Sequence, residues 1–211
     1  MIPDRENLYV MKKEDIPTFS KVLAESFKDY PLFEYFVDGK YSVKKFTTFF
    51  KICLKQLGDS IIAVGDKKEP SAVAIFVNAQ SSGDSIFSYI KSGGLALPFI
   101  FGIPAVIRMT KFEKFADGIK QKYATKNCYY FYLLVVKKEL RGQSVASKTV
   151  KPVLEYFDEH GIDCYLETFK EINIDKYKHY GFDLKETINV PNTNLSLKAM
   201  LRLSKNNRIH H

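Results

Sequence analysis

The spacing of hydrophobic positions changes period several times along the chain, and each change marks an element. Leu8-Tyr-Val-Met11 reads as an opening strand. Phe19, Val22, Leu23 and Phe27 then recur at the spacing of one helix face, with Asp15 as N-cap and Pro17 in the first turn. Pro31 is expected to stop this helix. Between Tyr41 and Leu57, lysines are interleaved with Phe46, Phe49, Phe50, Cys53, Leu54 and Leu57, which predicts an amphipathic helix closed by Gly58-Asp59. Ile61–Val64 and Ala72–Val77 read as two strands joined by the hairpin loop Gly65–Pro70.

Residues 79–126 have the weakest pattern. Ser81–Asp84 reads as loop, and Ile86–Ile90 as a helical turn ended by Gly93-Gly94. Leu97–Met109 predicts a broken helix or two short ones around its prolines, and Phe112, Phe115, Ile119 and Tyr123 form a helical stripe. Tyr129–Val136 is a buried strand by its aromatic and β-branched content. A polar turn leads to Arg141-Gly-Gln-Ser-Val-Ala146 and then to a helix with Val150, Val153, Leu154 and Phe157 on one face, kinked at Pro152 and closed by Gly161. Ile162–Thr168 is the next strand, and a short helix runs from Asn173 to Tyr180-Gly181. Phe182–Ile188 and Leu195–Leu201 alternate as an antiparallel pair around the turn Pro191–Asn194. Early strands are hairpin-linked and later ones helix-linked, so a mixed sheet flanked by helices follows.

The turn before the central helix suggests chemistry. The first amides of such a helix are unpaired and its dipole favours negative charge there. Small side chains at Gly142, Ser144, Ala146 and Ser147 would let a phosphate approach the backbone. Composition adds bounds. The 211 residues suit one domain, taken as 1–203 with 79–126 as a helical insertion and 204–211 as a frayed tail. The net charge of +8 is spread along the chain without a nucleic-acid-binding motif, so an anionic small molecule is expected rather than nucleic acid. Cys53, Cys128 and Cys164 lie in apolar segments and read as reduced core residues. The prolines and Gly102 break Leu95–Ile107, which is too short to span a bilayer. Residues 1–7 have no apolar signal segment, so a cytoplasmic protein without membrane attachment is expected. The terminal His210-His211 is not expected to bind metal, and no metal site is expected elsewhere.

Arg141–Ala146 resembles the phosphate loop of the GNAT superfamily of acyl-CoA N-acyltransferases. Tyr165-Leu-Glu-Thr168 and Asn173-Ile-Asp-Lys-Tyr177-Lys-His-Tyr-Gly181-Phe182 resemble that family's next strand and the segment after it, in the branch of puromycin-type small-molecule acetyltransferases. The likeness covers residues 120–203. It implies a GNAT-like α/β (α+β mixed) fold, a mostly antiparallel mixed sheet of six or seven strands flanked by helices. It also implies acetyl-CoA (coenzyme A) as cofactor. The diphosphate would rest on the loop, Gly142, Gln143, Ser144, Val145, Ala146 and Ser147, with charge added by Arg141. The pantetheine arm would pair along Leu134, Val135 and Val136, where family strands splay apart.

By the same likeness Tyr177 is the general acid for the departing sulfur, and Asn173 either supports the cofactor or caps its helix. Glu167 is either the base or a structural anchor. His179 and a water chain are other routes for the proton, because the strand position where the family often has glutamate is Tyr132. The first helix and the loop after it would border the acceptor, bringing Tyr30, Phe33 and Glu34 beside Tyr132, with residues 79–126 as a lid. Ser144 departs from the family's glycine. It is expected in the first helical turn, where serine caps well, the other case being a position that needs φ > 0. The implied activity is acetyl transfer to a primary amine of a small molecule by direct attack in a ternary complex, in a monomer or homodimer. A non-catalytic acyl-CoA-binding or regulatory module and a peptide or protein N-acetyltransferase are the alternatives.

Overall fold

The computed structural model describes residues 8–57, 61–79 and 96–208. The expectations for Gly58-Asp59, Ser81–Asp84, Ile86–Ile90, Gly93-Gly94 and His210-His211 lie outside these. Seven strands form one sheet: β1 (Tyr9–Val10), β2 (Ile61–Gly65), β3 (Ala72–Asn78), β4 (Cys128–Val136), β5 (Asp163–Thr168), β6 (Asp183–Asn189) and β7 (Ser196–Arg202). Their spatial order is β1-β2-β3-β4-β5-β7-β6. Only β4 and β5 are parallel, joined through the central helix, while every other neighbour pair is antiparallel.

Helices cover both faces. On one side lie α1 (Ile16–Ser26), α2 (Pro31–Val37), α3 (Val43–Leu57), α4 (Leu97–Phe101) and α5 (Ile103–Tyr123), around a core built on Phe19, Leu23, Phe46 and Phe50. On the other lie α6 (Val145–Glu159) and α7 (Ile172–His179), with Phe76, Val150, Val153, Phe157 and Phe182 packed between them and the sheet. The alternation along β3 shows the division: Val73, Ile75 and Val77 face the first core, Ala74 and Phe76 the second.

Three local readings change. Pro31 does not stop a helix; α1 ends at Ser26 and Pro31 opens α2, where its missing N–H costs nothing. The break in the apolar 97–109 segment falls at Gly102 (φ 84°), after which α5 continues to Tyr123 as one helix. The segment after Leu203 is not wholly frayed. Lys205–Arg208 is a helical turn, α8, held by the Ser204 amide on Asp163 (2.8 Å) and the Lys205 amide on Asp158 (3.0 Å). Pro152 sits inside α6 as read, and Gly161 follows that helix at φ 63°.

Two irregularities open the sheet at its centre. Pairing of β3 with β4 passes from Ile75↔Leu133 to Phe76↔Phe131, so Tyr132 is a bulged residue. The burial confirms the slip: Cys128, Tyr130 and Tyr132 face the first core, and so do Leu133 and Val135. Beyond the bulge, β4 has lost its other neighbour. Its parallel pairing with β5 stops at Tyr130↔Tyr165, leaving Phe131–Val136 bonded on the β3 side alone.

Candidate active site

The parting of β4 from β5 places a strand edge in a groove. The Lys137 amide donates to the Ser71 carbonyl at 2.8 Å, and alternation along an antiparallel ladder then turns Val135 and Leu133 toward β3. The backbone groups of Leu134 and Val136 therefore point the other way, into the groove. This groove has a volume of about 1200 Å³. Its walls include Leu134, Val135, Val136, Arg141, Ala146, Ser147 and Asn173, seven of the residues expected to hold the cofactor. Lys28, Lys137, Lys138, Arg141, Lys170 and Lys176 outnumber Glu25, Asp29, Glu139 and Asp175 along it, which favours an anion.

The loop at the groove's end departs from expectation. Gly142 (φ 83°) and Ser144 (φ 60°, ψ 10°) are both left-handed, and Ser144 is the N-cap of α6 without a side-chain capping bond. The serine thus occupies the position that needs φ > 0, not the first helical turn, at a cost of about 1 kcal/mol in backbone strain. The twist still presents amides: the first intrahelical bond is Lys148 N to Ser144 O (3.1 Å), so the Val145, Ala146 and Ser147 amides precede the ladder. Gly142, Gln143, Ser144 and Val145 are absent from the groove's lining, which the loop reaches at Ala146 and Ser147. The Ser147 hydroxyl is 3.0 Å from that of Tyr180, and Arg141 Nε donates to the Val136 carbonyl (3.2 Å) on the open strand edge.

A second cavity of about 110 Å³ lies between the sheet and α1, α2 and α5. Tyr30, Phe33, Tyr132, Glu167, Asn173 and Tyr177 line it together, and Glu34 does not. Glu34 instead accepts the Asp29 amide at 3.3 Å in the exposed turn before α2. The groove and the cavity share Phe27, Tyr30, Leu134, Asn173 and Tyr177, so they meet there.

Two ionisable groups at this junction are tuned by burial. Glu167 accepts hydrogen bonds from the Tyr165 hydroxyl (2.9 Å) and the Tyr130 hydroxyl (3.1 Å). Loss of water raises its carboxyl to about 8; the phenols and Lys120 pull it down, and the Glu113 charge pushes it up. Tyr177 is wedged edge-on between Phe131 and Phe182, with ring centroids 6.0 and 5.9 Å away. Burial, helped by Tyr30 and Tyr180, raises its phenol, so it stays protonated across the neutral range. Asn173 is not a cap. Glu171 holds that position in α7, and Asn173 Nδ2 donates to Thr168 Oγ1 at 2.9 Å, tying α7 to the end of β5. His179 lines the groove and not the cavity, away from Glu167.

Four polar lining residues escaped the sequence reading: Glu113, Asp117 and Lys120 on α5, and Tyr130 on β4. Their signal was present, because 113, 117 and 120 fall on one helical stripe beside the apolar residues Phe112 and Ile119. Lys120 pairs with Asp117 at 2.8 Å and lies over the Tyr130 ring, 5.8 Å from its centroid. Among the described residues no group of His, Cys, Asp and Glu could hold a metal ion, and no helix is long and apolar enough to cross a membrane.

Residues 105–182 match the profile of the Acetyltransferase (GNAT) family. Over 216 residues the chain is 23% identical to a protein of Dictyostelium discoideum named as a probable serine/threonine-protein kinase. That alignment takes in 94% of this chain and only 23% of the relative, so the chain spans less than a quarter of its length. Among solved structures, the one titled histone acetyltransferase HPA2 and related acetyltransferase, from Corynebacterium glutamicum, superimposes with a TM-score of 0.63 at 18% identity, covering 94% of this chain and 96% of the other. Arylalkylamine N-acetyltransferase 2 from Aedes aegypti gives 0.63 at 16% identity, covering 93% and 97%. At such identities the likeness is one of fold. The family profile thus falls on the strand, loop and helix that form the groove, and the fold is shared with these structures over more than nine-tenths of the chain's length.

Proposed function

We propose that the protein transfers an acetyl group from acetyl-CoA to the primary amine of a small molecule, with both reactants bound together. The observation that carries this is the junction: a basic groove along an open strand edge meets an enclosed aromatic cavity at Tyr30, Leu134, Asn173 and Tyr177. The residues present fit the cofactor. The amides of Ala146 and Ser147 suit its diphosphate, and the groove-facing backbone groups of Leu134 and the Val136 amide suit its amide-bearing arm. When bound, acetyl-CoA supplies the thioester that the amine attacks. The chain's own groups handle the protons. Glu167, as carboxylate, takes one from the attacking ammonium, directly or through water, and the Tyr177 hydroxyl gives one to the departing sulfur. A carboxyl titrating near 8 suits this, since its carboxylate is a stronger base than an ordinary one and closer to an amine's own proton affinity.

The cavity's size and cover by α2 and α5 fit a small acceptor better than a peptide laid across an open groove. The test is release of free thiol from acetyl-CoA with a panel of amines, alongside calorimetric titration of coenzyme A. Tyr177→Phe should lower kcat about a hundredfold or more, with coenzyme A affinity little changed. An unchanged kcat would remove Tyr177 from the reaction. Binding of acetyl-CoA without thiol release for any amine would leave a non-catalytic binding module, and no binding would end the proposal.

A further inference from the structure

Among the described residues five large apolar side chains are exposed, and three of them, Phe99 (89%), Ile103 (66%) and Ile107 (47%), fall within one short stretch. They stand in α4 and in the first turns of α5, on either side of Gly102. Their neighbours are not exposed: Leu97 is fully buried, and Phe101 packs on Phe46 and Phe49 with ring centroids 4.9 and 5.9 Å away. Along α5 the buried positions Ala105, Met109, Phe112, Ala116 and Ile119 form one face. At about 100° of turn per residue, Ile103, Ile107, Lys111 and Lys114 form the opposite face, and all four are exposed. This outer stripe is therefore apolar in its first turns and basic in the next. No carboxylate occupies an exposed position of α4 or α5.

We propose that this face docks on an anionic lipid surface, with Phe99, Ile103 and Ile107 entering the acyl boundary and Lys111 and Lys114 at headgroup level. Lys111 lies about 12 Å along the helix axis from Ile103, so a helix inclined to the surface reaches both depths. Long lysine side chains extend the reach, with their stems on apolar surface and their ammonium groups among the headgroups. The sequence predicts no membrane attachment because it holds no spanning segment, but a helix that lies in the interface needs no such length. The charge pattern selects the partner. A symmetric contact with a second copy through this face offers the lysines no carboxylate from the facing α4 and α5. Three apolar side chains also fall far short of the roughly 20–30 residues that each side of a stable protein interface supplies. A lipid surface accepts side chains singly, and its anionic headgroups provide the negative charge that the face lacks. The buried face of α5 covers the cavity at Met109, Phe112 and Ala116, so docking holds that cover beside the membrane. None of this depends on the activity proposed above.

The test is co-sedimentation with vesicles of phosphatidylcholine alone and of phosphatidylcholine mixed with one-third phosphatidylserine. The protein should bind the mixed vesicles at least about tenfold more tightly, and high salt should weaken that binding. Phe99→Ala combined with Ile103→Ala should weaken it about tenfold or more. Lys111→Gln combined with Lys114→Gln should weaken it about thirtyfold. Lys67→Gln combined with Lys68→Gln makes an equal change of charge in the exposed loop between β2 and β3, and should alter binding less than about threefold. Unchanged midpoints of thermal unfolding show that the variants are folded. Equal binding to both kinds of vesicle, binding to neither, or equal losses in the loop and helix variants overturns the proposal. A dimer in sedimentation velocity that the Phe99→Ala, Ile103→Ala variant dissociates also overturns it, and assigns the face to a second copy of the chain.

Discussion

Glu167 gathers more of the site's chemistry than any other side chain, and its surroundings determine how it responds to pH. The groups facing it are the Tyr130 and Tyr165 hydroxyls, Lys120 and Glu113. Burial, with the Glu113 charge, raises it from the ordinary 4.5 to about 8 against the pull of the two phenols and Lys120. As a base it must be ionised, so kcat/KM should climb with pH and level off above about 8. Glu167→Gln should cost about a hundredfold in kcat and abolish that limb. Stability should run the other way. Between 4.5 and 8 the folded protein holds a proton that the unfolded chain has released, so stability falls as pH rises through that window, and the glutamine variant should lose this slope. Chemical denaturation at pH 6 and pH 9 checks it; equal slopes would mean that the carboxyl is not held protonated. Ser144 makes a different case. Its residue type was legible, but its φ of 60° was not, because a loop of small residues can enter a helix in either hand. Ser144→Gly should stabilise the fold by about 1 kcal/mol, read from thermal unfolding, and leave coenzyme A binding intact. A destabilised variant would show that the serine hydroxyl contributes more than the backbone strain costs.

At the scale of elements, legibility followed period. β4 and β5 were readable from their aromatic and aliphatic content, α6 from its single helical face, and the β6–β7 pair from its alternation. The first helix was harder: Pro31 reads equally as the end of one helix or the start of the next, and only the tertiary position of Phe33 and Phe36 in the first core decides for α2. The β4 bulge shows the limit more sharply. Nothing in Tyr129-Tyr-Phe-Tyr-Leu-Leu-Val-Val136 marks Tyr132 as the extra residue, since every neighbour is equally apolar. Yet the bulge bends β4 away from β5 and creates the open edge on which the cofactor reading depends. α5 carries the same lesson for the acceptor side. Its apolar stripe predicted a helix, but its path across the cavity comes from long-range contacts, among them Arg108 Nε on the Phe36 carbonyl at 2.9 Å. That bond, 72 residues apart in sequence, ties α5 to α2 and brings Glu113 over the sheet.

For the molecule as a whole, the sheet separates two tasks and the junction reunites them. The loop–α6 side presents amides to the groove, the α1–α2–α5 side encloses the cavity proposed for the acceptor, and the two spaces meet at Tyr177 and its neighbours. This layout favours transfer without a covalent enzyme intermediate. An acyl-enzyme route needs a nucleophile at the junction, but Cys53, Cys128 and Cys164 are all buried, and none lines the groove or the cavity. Ser147 does line the groove, but beside the Tyr180 hydroxyl rather than a base. Tyr30 and Tyr177, the hydroxyls at the junction itself, are held protonated by burial and are poor nucleophiles. In the proposed reaction, attack then comes from the amine while both reactants are bound. Initial rates measured over a grid of acetyl-CoA concentrations and concentrations of the most active amine of the panel should give intersecting double-reciprocal lines. Protein incubated with acetyl-CoA alone should gain no acetyl mass at these residues by mass spectrometry. Parallel lines with a stably acetylated side chain would reverse the conclusion, and would mean that the two chambers work in turn rather than together.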